Sequence, residues 1–163
     1  MSAIISPCGE YRYRLERDLM RDGPVFAFFG VNPSTANASL DDATVRKWTG
    51  FTARYGGSRF IVGNVFAYRS TDVRALADAA DPIGQENRLH VREIIRDADI
   101  LVPCWGSTLK VPDRLRGDFF IFGIMLKKAG KPVRIFGLTK GGDPMHPLML
   151  PYTCQLQTWT EPA

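Results

Sequence analysis

Cysteine and histidine are scarce in this chain of 163 residues: there are three Cys (Cys8, Cys104, Cys154) and two His (His90, His146). The cysteines are odd in number, widely scattered and without a C-x-x-C pair. That argues against a disulfide framework, a zinc ribbon or an iron–sulfur site, and for a reduced, cytoplasmic protein. Two histidines are too few for a histidine-rich metal centre. Long apolar runs are missing as well. The stretch from Phe119 to Leu126 is far shorter than a bilayer span. The first eight residues lead directly into the charged stretch Glu10 to Arg21, not into the apolar core of a signal peptide. Neither a membrane protein nor a secreted one is expected. The usual reactive signatures are absent too: no G-x-S-x-G elbow, no G-x-x-x-x-G-K-[ST] phosphate loop and no dinucleotide fingerprint. No cofactor is expected. No repeat, low-complexity tract or polar linker interrupts the chain, which reads as one domain over residues 1–163.

What is present is an ordinary globular composition, 45% hydrophobic and 23% charged, at a length that supports one sizeable core. The net charge is +4, and arginine far outnumbers lysine. The planar guanidinium suits phosphate, so a nucleic acid or nucleotide is an admissible partner without being required.

Periodicity gives the framework. Tyr11 to Leu15 alternates in the manner of a half-buried edge strand. Val25 to Val31 is a short apolar run closed by Asn32-Pro33-Ser34, a strand covered on both faces and ended by a turn. Asp41 and Asp42 cap a helix with the stripe Val45, Trp48, Phe51 and Tyr55, stopped by Gly56-Gly57. Phe60 to Phe66 is a second buried strand, Gln85 to Ala98 a helix, and Ile100 to Trp105 a third strand. Pro112 opens a helix through Leu115, Phe119, Phe122 and Leu126 that ends at Gly130, and Val133 to Gly137 is a fourth strand. This alternation predicts an α/β fold, a three-layer αβα sandwich around a mainly four-stranded parallel sheet. The Phe119 to Leu126 helix is apolar on more than one side, as for a helix that also meets a second subunit in a homodimer.

Ligands of such sheets sit beyond the carboxyl ends of the strands. Four segments fall there: Gly30 to Thr35, Asn64 to Thr71, Trp105 to Thr108 and Gly137 to Leu148. They are rich in amides, hydroxyls, aromatics and glycine, which suits a pocket that reads a flat polar ligand by hydrogen bonds and stacking. Their order resembles that of mismatch-specific uracil/thymine DNA glycosylases. Gly30-Val31-Asn32-Pro33-Ser34 is similar to that family's Gly-Ile-Asn-Pro-Gly, with Ser34 in place of the last glycine. Phe60 to Ser70 is similar to the strand-then-asparagine segment of uracil-DNA glycosylases, and Gln85 to Gly106 to their helix and glycine-ended strand. His146-Pro147-Leu148 resembles their His-Pro-Ser, with Leu148 replacing the serine. The whole chain also resembles a bacterial and phage domain family of unassigned activity, with Asn-Pro-Ser-Thr-Ala and Gly-Leu-Thr-Lys…His-Pro-Leu signatures.

The glycosylase resemblance implies a uracil-DNA glycosylase-like fold and roles for individual residues. Asn32 would hold the attacking water, Asn64 would read the edge of an extruded base, and His146 would stabilise charge on the departing base. Leu148, with Met149 or Leu150, would wedge into the vacated stack. With the serine hydroxyl that would grip a DNA phosphate replaced by Leu148, Lys140, with Gly141 and Gly142, would supply that grip instead. Each residue also has a plainer reading. Asn32-Pro33-Ser34 suits any strand-ending turn, Asn64 can cap a turn, and His146 can be an exposed loop residue. Asp41 and Asp42 suit helix capping, or water activation, or Mg²⁺ binding. Phe66 and Trp105 are core aromatics or stacking surfaces. Tyr68 and Arg69 lie just past Asn64, with Arg69 on a phosphate or in solvent. His90 reads as structural and Cys104 as a small core hydrophobe. Three functions follow: a cofactor-free N-glycosylase acting on DNA or a modified nucleotide, a non-catalytic nucleotide or nucleic-acid module of the same fold, and a metal-dependent hydrolase built on Asp41 and Asp42.

Overall fold

The computed structural model describes residues 1–160, so the last three residues of the expected domain lie outside it. Its strands are β1 (Ser2–Ile5), β2 (Arg12–Asp18), β3 (Val25–Gly30), β4 (Arg59–Asn64), β5 (Ile100–Pro103), β6 (Arg134–Ile135) and β7 (Gln157–Thr158). Its α-helices are α1 (Ala43–Arg54), α2 (Asn87–Asp97) and α3 (Gly117–Lys127).

The apolar runs produce strands that are buried on both faces. In β3, Phe26 and Phe28 enter one core with Phe60, Val62 and Val102, while Ala27 and Phe29 enter the other with Ile61 and Leu101. A period of two sends successive side chains to opposite faces, so an apolar run needs cover on each. α1 supplies one cover through Val45, Trp48 and Phe51, and α2 and α3 supply the other through Val91, Ile94, Phe119, Phe122 and Leu126. Phe28 stacks on Trp48 at 5.6 Å between ring centroids, and Phe29 meets Phe122 edge-on at 5.4 Å. Each such fully buried ring contributes about 1.5–3 kcal/mol relative to exposure. Gly63 allows α2 to approach, since a Cβ there would lie 3.0 Å from Ile94 Cδ1.

The sheet is mixed and five-stranded, in the order β1-β2-β4-β3-β5. β3 runs parallel to β4 and β5, whereas β2 is antiparallel to both β4 and β1. Two expectations are corrected here. The Tyr11 to Leu15 strand is not an edge, because β1 pairs along its outer side, and its arginines are buried instead of facing water. The fourth strand does not extend the parallel sheet. Val133 makes a single parallel bridge to Leu101, after which β6 turns to pair antiparallel with β7. The helix expected from Pro112 is divided, with a 3-10 turn at Asp113–Leu115 and α3 beginning at Gly117. Among the described residues no helix is long and apolar enough to cross a membrane. The outer face of α3 exposes Phe120 and Ile121.

Candidate functional site

Beyond the carboxyl ends of β3, β4 and β5 the chain encloses a cavity of about 380 Å³, within the usual range of small-ligand sites. Gly30 and Asn32 from the end of β3, Asn64 from the end of β4, Trp105 and Gly106 after β5, and His146 from the last long loop all line it. The two amides and the imidazole singled out by the sequence therefore share one space.

Asn64 closes β4 and is 3% exposed, and its Nδ2 has no hydrogen-bond partner among the described residues. Its backbone is held from behind: the buried Asn87 of α2 donates through Nδ2 to the carbonyls of Asn64 and Val65, each at 3.1 Å. Gly30 is needed beside it, because a Cβ there would stand 3.1 Å from Asn64 Oδ1. A buried amide left without an acceptor costs roughly 1–3 kcal/mol, so an unsatisfied donor on a cavity-lining residue calls for an explanation.

Asn32 has a fixed orientation. Its Nδ2 donates to the carbonyls of Ser70 (2.9 Å), Pro33 (3.1 Å) and Tyr68 (3.3 Å), which ties the segment after β4 to the end of β3. Its Oδ1 makes no hydrogen bond among the described residues and remains an acceptor.

His146 precedes a 3-10 turn at Pro147–Met149, and its Nδ1 accepts from the Leu148 N–H at 3.2 Å. A neutral ring that accepts at Nδ1 carries its proton on Nε2. Burial and then the nearby Lys110 charge push its pKa below the usual histidine value, against an opposing pull from Asp42. His146 is thus a neutral donor at pH 7. Gly106 makes room for it: its φ is +75°, and an added Cβ would lie 3.2 Å from His146 Cβ.

The remaining expected residues divide. Ser34, Trp105 and Leu148 line the cavity, with Met149 at its rim and 89% exposed. Trp105 Nε1 is buried without a partner among the described residues, its ring packed on Phe119, Phe122 and Trp159. Phe66 does not reach the cavity, since it is fully buried edge-on to Phe119. Tyr68 turns its ring to Tyr11, and Arg69 donates to the Gly9 carbonyl at 3.0 Å, so neither lines the space. Lys140 is exposed on the far part of its loop and is also outside.

Asp41 and Asp42 are not a pair. Asp41 binds Arg17 at 2.6 Å, away from the cavity, while Asp42 caps α1 by accepting from the Val45 N–H at 2.9 Å and lines it. Among the described residues no group of three or more His, Cys, Asp or Glu is placed to hold a metal ion.

Sequence reasoning missed Arg12, Trp48 and Lys110, which also line the cavity. Trp48 was legible only as part of the α1 stripe; its Nε1 lies beside the Cys104 thiol, whose pKa burial pushes up to about 12. Arg12 was hidden in an alternating strand whose arginines suggested a wet face. Lys110 carried no signal.

No curated protein and no solved structure matches the chain. The model of the family described as protein of unknown function (DUF1643) matches residues 12–148, a span that begins at Arg12 and ends at Leu148. The chain belongs to that family.

Proposed function

We propose that this protein binds a nucleobase in the strand-end cavity and acts on it as an N-glycosylase, on DNA or on a modified nucleotide, within a fold related to the uracil-DNA glycosylases. The observation that carries the reading is Asn64, a buried amide that lines a cavity of about 380 Å³ and whose Nδ2 lacks an acceptor among the described residues. An amide offers a donor and an acceptor side by side, the pattern needed for the edge of a flat heterocycle. The neutral His146 and the free Oδ1 of Asn32 on the same cavity support the chemistry.

In the reaction the C1′–N bond breaks and its electron pair leaves with the base. Positive charge develops on the sugar, and a water oxygen bonds to C1′. Asn64 Nδ2–H and His146 Nε2–H stabilise the departing base, and such fixed donors help most as the charge appears. Asn32 Oδ1 accepts from the water and orients it. Asp42 lines the same cavity with one oxygen engaged by the Val45 N–H, and its other oxygen takes the proton that the water releases.

The test incubates the protein with single- and double-stranded oligonucleotides bearing uracil, mismatched thymine or altered bases, and with the free nucleotides. Alkali then reveals abasic sites, and chromatography reveals released base. The expected result is base release that falls by about 10²-fold or more in His146→Ala and in Asn64→Ala. Absence of release from every substrate, beside an active control enzyme, overturns the catalytic reading.

A binding module without chemistry is the second reading. It is favoured by the three carbonyl bonds of Asn32 Nδ2, which give that amide nitrogen a structural role. It predicts saturable base binding that Asn64→Ala weakens, with no product. A metal-dependent hydrolase is not favoured, because Asp41 is held by Arg17 while Asp42 caps α1.

A further inference from the structure

Strand β2 carries three arginines, Arg12, Arg14 and Arg17, all buried. Arg14 is neutralised by Glu16 at 2.5 Å and Asp97 at 2.9 Å, and Arg17 by Asp41 at 2.6 Å. Arg12 makes no ion pair among the described residues. One nitrogen, Nη1, donates to the Ala36 carbonyl at 2.8 Å, and its buried Nε has no partner among the described residues.

The difference begins in the backbone. Pairing between β1 and β2 shifts between Ile4 and Ile5, opposite Arg14 and Arg12. Past that irregularity Tyr13 and Arg14 both meet α2, Tyr13 by stacking on His90 and Arg14 through Asp97, while Arg12 lies at the cavity. A bulge redirects side chains in this way, and bulges occur beside functional sites. An uncompensated buried charge is strongly unfavourable and is normally paired or removed.

We propose that Arg12 is an anion anchor, so that the ligand of this cavity is a phosphorylated nucleoside whose phosphate binds Arg12 while its base meets Asn64. The identity of the base partner rests on the reading above; the anion anchor does not. Lys110 lines the same cavity from its exposed rim and makes no ion pair among the described residues. Asp42 is the opposing carboxylate, already engaged at one oxygen by the α1 backbone, and His146 is neutral. Two cations against one anion leave the cavity electropositive. Burial lowers the Arg12 pKa to about 10, helped by Arg69 and Arg17 and opposed by Asp42, so the guanidinium is still charged at neutral pH. Its fork then presents N–H donors to phosphate oxygens, the geometry in which charge-assisted bonds are strongest.

Calorimetry on the intact chain decides it, with inorganic phosphate, each common nucleoside, its 5′-monophosphate, and a short single-stranded oligonucleotide as probes. The expected result is a monophosphate bound at least about tenfold tighter than its nucleoside. Arg12→Gln brings that ratio to about one, while Asn64→Ala weakens nucleoside and nucleotide alike and leaves the ratio standing. Tighter binding of the oligonucleotide than of the mononucleotide assigns the phosphate to a nucleic acid, and the reverse order to a free nucleotide; both support the anchor. Equal binding of nucleoside and monophosphate in the wild type overturns it, even with base binding intact, and leaves Asp42 as the counter-charge. Arg12-dependent phosphate binding without any base preference keeps the anchor and overturns the base reading instead. Should Arg12→Gln fail to fold, the wild-type Arg12 Nε–H resonance serves as the reporter. A shift on adding phosphate supports the anchor, and an unmoved resonance overturns it.

Discussion

The two ends of the parallel strands are built differently. At the amino ends, polar groups close on one another. Asp99 Oδ2 accepts from the Val25 N–H at 2.8 Å, Arg21 donates to the carbonyls of Thr52, Ala53 and Gly57, and Lys131 donates to those of Arg96 and Ala98. At the carboxyl ends, Arg12 Nε, Asn64 Nδ2 and Trp105 Nε1, on residues that line the cavity, are buried without a partner among the described residues. β2 samples both ends because it runs against β4. Arg17 sits opposite Phe60 near the start of β4 and is ion-paired, while Arg12 lies past the end of β4 and is not. Unsatisfied buried donors thus gather at the carboxyl end, whereas at the amino end Thr52 Oγ1 is the buried polar atom left without a partner among the described residues.

Arg17→Met tests the closed end and gives the largest effect on stability. It removes the Asp41 pair and the bonds to the Glu16 and Asn37 carbonyls. A loss of about 2–3 kcal/mol is expected in urea unfolding, toward the low end for a broken buried pair because Asp41 is partly exposed. Asn64→Leu tests the open end. Its orphaned donor disappears, so unfolding stability should hold or rise, while nucleobase binding measured by calorimetry falls about 10–100-fold. A loss of stability as large as that in Arg17→Met would erase the distinction between the ends. Arg12→Met is expected to gain about 1 kcal/mol, relief of an unpaired charge less one bond to Ala36, read as a higher urea midpoint at unchanged slope.

The smallest effect is in the pH response of His146. Its folded pKa lies below the unfolded value of about 6.5, so the unfolded chain takes up a proton first as pH falls. Stability from this group is complete above that unfolded value and is lost as pH drops through the window down to the folded one. Urea midpoints between about pH 7.5 and 5.5 should therefore fall more in wild type than in His146→Gln. Identical profiles would mean that His146 is already as solvated as a free histidine.

Much of this was legible in advance where a local pattern has one physical solution. The run Val25–Val31 can only be a strand covered twice, and Asp42 before the Val45, Trp48, Phe51 stripe is a cap with a mechanism, realised in its bond to the Val45 N–H. The strand-end segments indicated where a cavity should lie, and Asn32, Asn64 and His146 do line one. The sheet was harder to read. Val133 to Gly137 has a strand's composition, but whether it extends the parallel sheet depends on a competing partner, here Gln157–Thr158, far along the chain. The same holds for side chains at the site: Phe66 and Trp105 are both aromatics just past a strand, and one is sealed behind Phe119 while the other lines the cavity.

What the sequence determined by itself was therefore burial and backbone conformation: which runs need two covers, where helices begin and stop, and which ends of the strands carry polar groups. Those properties depend on neighbours within a turn or a strand. The tertiary structure alone decided which polar groups are satisfied. Arg14 and Arg17 meet carboxylates at positions 97 and 41, whereas among the described residues Arg12 reaches one carbonyl, at position 36. Hydrogen bonds and ion pairs act over about 3 Å, and no local pattern can say which distant residue will arrive within that reach.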